Sequence, residues 1–268
     1  MKRKLKIEIG LAVLLLLIAL FGSFLAPYDP LKVNYDFSLQ PPSFLHIFGT
    51  DKLGRDVFSR ILCGAKTSFG LTFLMLFLIV FIGMIVGLMA GLSNDKVESF
   101  FNNIINGLLA FPDTIFAIAI VGIVGAGLFN TVFALALIWW TKYARLTLAL
   151  VKQEKKKNYL VISKMSGVPP LQRIIRYLLP NILSQILVTA FLDIGNMMIS
   201  LAGLSFLGLA SQPPQPEWGA MLYEQFMQVA PWMMFFPGLV LFICVLIFNL
   251  LSEDIRDYLD PKHYEEKL

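Results

Sequence analysis

Four long stretches without a charged residue constrain this 268-residue chain more than any other feature. They cover residues 9–28, 67–94, 114–141 and 225–252. The hydrocarbon core of a bilayer takes about 20 residues of helix, so apolar stretches of this length are typical of membrane spans. Only 15% of the residues are charged, against about 25% in soluble domains, which excludes an ordinary globular enzyme. The sequence therefore predicts a polytopic membrane protein.

Six spans account for the apolar stretches. The stretch 114–141 becomes two spans when the apolar residues 100–111 are added and a turn is placed at 125–127. No segments of about ten alternating residues, as in a membrane β-barrel, are present. We predict an all-α integral membrane fold with six transmembrane helices at 9–27, 68–91, 103–126, 128–149, 181–206 and 232–251.

The distribution of Lys and Arg predicts the orientation of these spans. With the N-terminus inside, 17 of the 22 basic residues fall in cytoplasmic segments and five fall in outer segments. Both termini are then cytoplasmic, and residues 26–66 form an outer loop. The basic start also resembles a signal peptide, but no small-residue cleavage site precedes Pro27, so we expect the first span to be retained.

The sequence lacks the motifs that would let the chain act as an enzyme by itself. It has no Gly-rich phosphate loop, and its two histidines, His46 and His263, form no cluster with metal-ligand spacing. We expect neither catalytic residues nor a metal site. Energy for transport would come from a partner, or from ion coupling through carboxylates inside the membrane. A membrane scaffold without transport is the third alternative.

The cytoplasmic loop 151–185 combines helix-forming and helix-breaking residues. Residues 159–165 can form a helix, Gly167 follows at a natural stop, and Pro169 with Pro170 prevents simple continuation. An amphipathic turn at 171–179 then leads to Pro180. Such an element can insert into a groove on a soluble partner, or it can be a solvated basic loop that only sets the topology. The spacing alone leaves both alternatives open.

The same loop carries a family resemblance. Its residues N-Y-L-V-I-S-K-M-S-G and L-P-N (158–167 and 179–181) resemble the EAA-type signature of the membrane subunits of ATP-binding-cassette (ABC) importers. Two longer stretches, HIFGTDKLGRDVFSRILCGAKTS (46–68) and LAGLSFLGLASQPPQPEWGAML (201–222), are similar to the peptide/nickel permeases. The residues YAR (143–145) and DIRDYLDP (254–261) extend the resemblance over nearly the whole chain.

The resemblance implies an ABC importer permease with the type I transmembrane fold, in the cell membrane of a bacterium. Residues 1–66 would hold the first helix and the outer loop, and 67–268 the five-helix transmembrane domain with the coupling loop 151–180. Its partners would be a second homologous permease in a heterodimer, two ABC ATPase subunits, a lipid-anchored or periplasmic solute-binding protein and membrane lipid. Nucleic acid is not an expected partner. The chain itself would hold no cofactor, with ATP and Mg²⁺ on the ATPase subunits.

The family's coupling helix maps onto residues 159–167 of this chain. The residues that would contact the ATPase are Tyr159, Ile162, Ser163, Gly167 and Val168. One departure is that the two alanines usual before the glycine are Ile162 and Ser163 here, which could change the local helix packing.

The resemblance also suggests the cargo. Residues 192–209 look closest to C-type permeases for nickel, and they also resemble dipeptide and oligopeptide permeases. Bare Ni²⁺ prefers imidazole or thiolate ligands, and the predicted spans contain no histidine. We therefore expect nickel, or a nickel/cobalt–chelator complex, with peptides as the alternative.

Ionisable and polar residues inside the spans are candidates for the translocation path, because a charge there is expensive to keep. Asp193 and Asn196 lie one turn apart in the fifth span, beside Met197, and Asp113 follows a predicted kink at Phe111 and Pro112 in the third. The structural alternatives are a helix–helix hydrogen bond to the partner permease for Asp193, a helix cap for Asp113 and simple packing for Met197.

A charged series marks the outer loop. Asp51, Arg55, Asp56 and Arg60 recur at helical spacing. They predict either a surface helix braced by its own ion pairs or a docking surface for the binding protein or the partner permease.

Overall fold

The fold is almost entirely helical in the residues that the computed structural model describes, 3–212, 214–226 and 230–259. Its helices are α1 (Arg3–Leu25), α2 (Val57–Leu92), α3 (Asp95–Leu109), α4 (Asp113–Val124), α5 (Leu128–Lys155), α6 (Asn158–Met165), α7 (Pro170–Arg173), α8 (Leu179–Phe206), α9 (Trp218–Phe226) and α10 (Pro231–Leu259). A wider π turn, Ile174–Leu178, joins α7 to α8. Within these ranges the only β-structure is an isolated bridge between Thr50 and Asp56.

Five helices are long and apolar enough to cross a membrane, namely α1, α2, α5, the continuous helix Pro170–Phe206, and α10. They confirm five of the six predicted spans. The break predicted at 125–127 is also present, where Gly125 has a φ of +102° and the N–H of Gly127 donates to the carbonyl of Leu209 at 3.0 Å.

The third predicted span, 103–126, is not one helix. It is divided between α3 and α4, which are bent by 87° at a short break. Pro112 explains the position of the break, because it has no N–H and cannot continue the hydrogen bonding of α3. The predicted kink is therefore confirmed in position, but it is a sharp bend between two helices. The span count is five, or six if the bent pair is one broken span.

The chain divides into two compact packing units. The first packing unit contains residues 1–74, 118–133 and 192–268, and the second contains 75–117 and 134–191. Several helices contribute residues to both units, so each unit is a group of residues that pack together and not a set of whole helices. The domain division expected at residue 66 is a different one and stays a prediction.

In the first packing unit, α1 and α10 run beside each other and aromatic rings fill the interior. The side chain of Lys4 donates to Asp254 at 2.9 Å, which joins the start of α1 to the last turns of α10. The ring of Phe69 in α2 contacts Trp218 and Phe248, with centroids 5.6 and 5.9 Å away. Residues 260–268, which include the end of the DIRDYLDP stretch, and Pro213 lie outside the described residues.

In the second packing unit, glycines bring α2 and α5 close together. Gly83, Gly87 and Gly91 lie at four-residue spacing on α2, and a Cβ at any of them would meet atoms of α5 within 2.9 Å. Small residues in membrane helices allow this backbone approach, which gains van der Waals contact where the hydrophobic effect is absent.

Candidate functional site

The 151–180 segment forms a short helix that is closed at its end by a tight turn. After α6, the N–H of Val168 donates to the carbonyl of Ser163 and the N–H of Gly167 donates to that of Lys164, at 3.1 and 3.2 Å. This is a Schellman motif, and it requires a left-handed residue at Gly167, whose φ is +73°. The helix, the glycine stop and the second helix expected from the sequence are all present.

A buried carboxylate ties α6 to the end of α5. The hydroxyl of Tyr159 donates to Oε2 of Glu154, and the amine of Lys157 donates to Oε1 at 2.6 Å. Burial and the hydrogen bond to the Glu154 carboxylate together raise the pKa of Tyr159 to about 12. The phenol therefore stays a neutral donor at any physiological pH.

The other end of the segment continues into a span without a break. Pro180 has no N–H to give to the preceding turn, and the chain there widens into the π turn Ile174–Leu178. The side-chain amide of Asn181 donates to the carbonyl of Tyr177 at 2.6 Å. It adds a hydrogen-bond donor next to Pro180, which has no N–H. The L-P-N residues thus join this segment to the start of α8.

The outward face of α6 is apolar. The side chains of Ile162 and Met165 are 60% and 82% exposed, and that of Leu171 in α7 is 67% exposed. Ser163 is buried instead, and its hydroxyl donates to the carbonyl of Leu160 at 2.8 Å. The two residues that replace the family's usual alanines therefore lie on different faces, one outward and one packed.

Side chains of α5 hold the bent helices α3 and α4. The indole N–H of Trp139 donates to Asp113 at 3.0 Å, just after the bend. Two further bonds reach α3, from Arg145 to Asn106 and from Lys152 to Glu98, both at 2.5 Å. Asp113 thus has a partner on α5, and its Oδ1 also accepts from the N–H of Thr114 at 2.7 Å at the start of α4. Its part in a translocation path stays a prediction.

The other path candidates differ in accessibility. Within the first packing unit, Asp193 and Met197 are buried, at 2% and 0% exposure, while Asn196 on the same helix is exposed. Of the three, Asn196 offers its side chain to the surface of the chain. Their part in a translocation path stays a prediction.

The charged residues of the 26–56 loop do not form a surface helix, so that prediction was wrong. Asp51, Arg55 and Asp56 precede the start of α2, and together with Arg60 they are at most 3% exposed. Local spacing suggested a helix, but the loop folds back on itself: the N–H of Asn34 donates to the carbonyl of Leu53 at 2.9 Å. Because these four side chains are buried, the structure does not support docking through them directly. Other residues of the 26–56 loop are exposed.

These four residues form a buried ionic cluster. Oδ2 of Asp51 lies 2.6 Å from Nε of Arg55 and 3.7 Å from Nε of Arg60. Asp56 caps the first turn of α2, because its Oδ2 accepts hydrogen bonds from the N–H and the hydroxyl of Ser59 at 2.8 and 2.7 Å. The cluster fixes the path of the loop onto the start of α2.

Four residues of these sites were missed by the sequence reasoning, namely His46, Glu154, Glu217 and Trp139. His46 pairs with Oδ1 of Asp56 through Nδ1 at 2.9 Å. Glu217 is buried and caps α9, accepting from the N–H groups of Gly219 and Ala220 at 3.0 and 2.8 Å. An acidic residue directly before Trp218 was an available N-cap signal for Glu217. His46 and Trp139 had no local signal, because their partners come from distant positions.

The comparisons with known proteins agree with this architecture. Residues 83–263 match the binding-protein-dependent transport system inner membrane component, and residues 9–42 match the N-terminal transmembrane domain of oligopeptide transport permease C. A chain of the MetNI methionine ABC transporter in an inward-facing conformation shares the fold, with a TM-score of 0.60 at 19% identity. That match covers 73% of this chain and 94% of the other.

Several permeases are similar along almost their whole length. The nickel transport system permease protein NikC of Escherichia coli K12 is 37% identical over 250 residues, which is 92% of this chain and 90% of NikC. The di/tripeptide permease DppC of Pseudomonas aeruginosa UCBPP-PA14 is 39% identical, covering 94% and 87% of the two chains. The glutathione permease GsiD of Shigella flexneri serotype 5b is 41% identical, covering 93% and 84%.

The fold and the matches define a multi-pass inner membrane subunit of an ABC importer, with the type I transmembrane architecture. The chain belongs to the binding-protein-dependent transport system inner membrane component family. Members of this family are membrane subunits that work with another permease, with ATPases and with a binding protein, and ATP is hydrolysed by the separate ATPase subunits.

Proposed function

We propose that this chain and a second, homologous permease form the translocation path for a nickel–chelator complex. An extracellular solute-binding protein delivers the complex, and two ATPase subunits that bind ATP and Mg²⁺ drive its import. The observation that carries the proposal is the similarity to NikC, which extends over 90% of that protein's length. Cobalt in the same kind of chelate is a related cargo.

The donor chemistry of the chain favours a chelated metal over a bare ion. Among the described residues, no group of three or more His, Cys, Asp or Glu side chains could hold a metal ion. Ni²⁺ binds imidazole and thiolate strongly and would need such ligands to leave its hydration shell. A chelator that supplies those ligands removes this requirement from the path.

Short peptides are the second candidate cargo. The similarity to DppC and GsiD, at 39% and 41% identity, supports this alternative. A metal–chelator complex and a short peptide are both small polar molecules with carboxylates, so one architecture can suit either.

For the path itself, we propose that Asn196 faces the cargo. Its side chain is exposed, one turn from the buried Asp193 on α8. Asp193 and Met197 would then support the path wall from inside the first packing unit. Asp113 would act in the second unit by fixing the bend before α4.

We propose that the 151–180 segment couples the ATPase to the permease. The exposed side chains of Ile162 and Met165 would enter a groove on the ATPase, as apolar anchors of short helices do. Tyr159, Ser163, Gly167 and Val168 hold α6 in place, through Glu154 on one side and the Schellman turn on the other. Movement of α6 would then be passed along the continuous helix into α8. In this proposal the segment and both termini are cytoplasmic, in agreement with the excess of basic residues there.

Substitution at the outward face tests the coupling proposal. Met165→Asp places a charge where an apolar groove is expected, so the ATPase subunits should no longer co-purify with the permease. Lys156→Ala, at an exposed position of the same segment, is the matched control and should retain them. Retention of the ATPases by Met165→Asp at the wild-type level would contradict the proposal.

Uptake measurements test the cargo. Cells lacking the gene, with and without the wild-type chain restored, are compared for uptake of radioactive nickel and of a labelled dipeptide, with a series of small chelators. The proposal expects nickel uptake that depends on both the gene and a chelator such as free histidine. Loss of dipeptide uptake alone would overturn it in favour of the peptide alternative.

A further inference from the structure

A basic cleft lies beside the outward face of α6. It has a volume of about 550 Å³ and is bounded by the last residue of α2, the last residue of α5, and parts of α6, α7 and the π turn, all in the second packing unit. Lys155, Lys164 and Arg173 provide three positive charges in its lining, and none of the lining residues is acidic. The rest of the lining is apolar and includes Leu160 and Leu178.

The cations of this cleft are incompletely paired inside the chain. Nε of Arg173 is buried and has no hydrogen-bond partner, whereas Nζ of Lys155 donates to the carbonyl of Gly91 at 3.0 Å. A guanidinium nitrogen removed from water without a partner is unfavourable, so the cleft is suited to an anion that reaches Arg173.

The position of the cleft indicates where this anion comes from. Leu92 ends α2 and Lys155 ends α5, two helices that are long and apolar enough to cross a membrane, so the cleft lies at the ends of two candidate spans. Phospholipid headgroups lie near the ends of membrane spans, and basic pockets there recognise anionic headgroups. The apolar lining suits the glycerol backbone and the upper part of an acyl chain.

We propose that this cleft binds an anionic phospholipid, with its phosphate beside Arg173 and Lys164 and its chains along Leu160 and Leu178. The cleft borders the outward face of α6. Leu160 and Lys164 are four residues apart and share one side, and Val161, which also lines the cleft, lies one turn before Met165 of the outward face. Ile162 and Met165 themselves are not part of the lining. The inference does not depend on the cargo.

Native mass spectrometry of the purified full-length chain tests this inference. The chain is exposed to palmitoyl-oleoyl phosphatidylglycerol or to phosphatidylcholine with the same acyl chains. We expect selective retention of phosphatidylglycerol, weakened about fivefold by each of Arg173→Gln and Lys164→Gln. Lys152→Gln is the matched control, because Lys152 lies one turn before Lys155 but pairs with Glu98 outside the cleft. Arg173→Lys keeps the charge and should keep most of the binding, which separates loss of charge from loss of fold.

Four results would overturn the proposal. The first is equal retention of the two lipids by the wild-type chain, and the second is an equal effect of the Lys152→Gln control. The third is complete displacement of the lipid by inorganic phosphate or by the soluble headgroup glycerophosphoglycerol, which would indicate a site for a free anion. If the cleft variants lose the ATPase subunits while binding phosphatidylglycerol like the wild type, the cleft belongs to the ATPase interface instead.

Discussion

The hydroxyl of Tyr159 donates to the buried carboxylate of Glu154, and this hydrogen bond joins the first turn of α6 to the last turn of α5. Glu154 is only 6% exposed, so the bond lies inside the chain and is protected from competition by water. Without it, the side-chain link to Glu154 would be left to the amine of Lys157, in the two-residue connection between the helices. The pair therefore sets how firmly α6 follows the span before it.

Removing the Tyr159 hydroxyl should weaken the connection between α6 and α5 while the aromatic ring keeps its packing. We expect Tyr159→Phe to lower the amount of cargo imported per ATP hydrolysed several-fold. Glu154 loses one hydrogen-bond donor, so α6 can move more independently of α5. The measurement is transport and ATP hydrolysis by the reconstituted importer. Tyr177→Phe, on the π turn of the same segment, is the control and should keep the wild-type ratio. An unchanged ratio in Tyr159→Phe would show that this bond has no part in coupling.

The same bond predicts how the protein responds to alkali. The pKa of Tyr159 is raised from about 10 to about 12, so the folded state favours the neutral phenol. The stabilisation is fully present below about pH 10 and is lost as the pH rises toward about 12. Tyrosinate absorbance should show a late-titrating tyrosine that is missing in Tyr159→Phe. A wild-type titration identical to that of the variant would contradict the raised pKa.

Gly167 should accept only residues that tolerate a left-handed conformation. At φ +73° an L-residue is strained by about 1–2 kcal/mol, although no atom lies within 4 Å of a Cβ there. We expect Gly167→Val to disturb the Schellman turn and lower the transport-to-hydrolysis ratio, while Gly167→Asn keeps most of it, since Asn visits this region. The space around the residue is open in both variants, so a difference between them reports backbone strain. If both behave alike, the turn conformation is not what matters.

The buried cluster of the 26–56 loop should be sensitive to loss of one charge. Asp51→Asn leaves Arg55 and Arg60 without their shared carboxylate at sites at most 2% exposed. Breaking a buried ion pair in this way costs about 3–5 kcal/mol. We expect a clearly lowered thermal midpoint for the chain purified in detergent. Lys52→Gln, at the exposed neighbouring position, should change stability by less than about 0.5 kcal/mol. Equal midpoints for the two variants would contradict a stabilising role of the cluster.

Features that depend on local chemistry were predictable from the sequence. The apolar stretches gave five of the spans, and the glycines and prolines gave the breaks at 125–127, at Gly167 and before Asp113, because these residues act on the backbone wherever they occur. The L-P-N residues also marked the start of α8 to within two residues.

Features that depend on distant contacts were not predictable in this way. The burial of Arg60 depends on carbonyls of Pro30 and Pro214, each 3.4 Å from its Nη1, and neither lies near it in the sequence. The hydrogen bond from Trp139 to Asp113, just after the 87° bend, likewise joins residues 26 positions apart in the sequence. Spacing at 51, 55 and 60 suggested a helix, since a pattern of charges cannot tell whether a partner segment will cover it.

The close contact between α2 and α5 provides a last prediction, with its control in the same helix. A Cβ at Gly87 would lie 2.5 Å from Cβ of Thr147 and 2.6 Å from the carbonyl oxygen of Ala144, so the two backbones would have to separate. Overpacking of this kind costs about 1–3 kcal/mol. At Gly70 no atom lies within 4 Å of a Cβ, and Gly70→Ala should be neutral or stabilising by up to about 1 kcal/mol. The thermal midpoint of Gly87→Ala should therefore fall while that of Gly70→Ala does not. Both changes add the same methyl group to the same span. A lower midpoint in both variants would mean that the added methyl group acts through lipid contact or helix propensity. The close contact between α2 and α5 would then contribute little to stability.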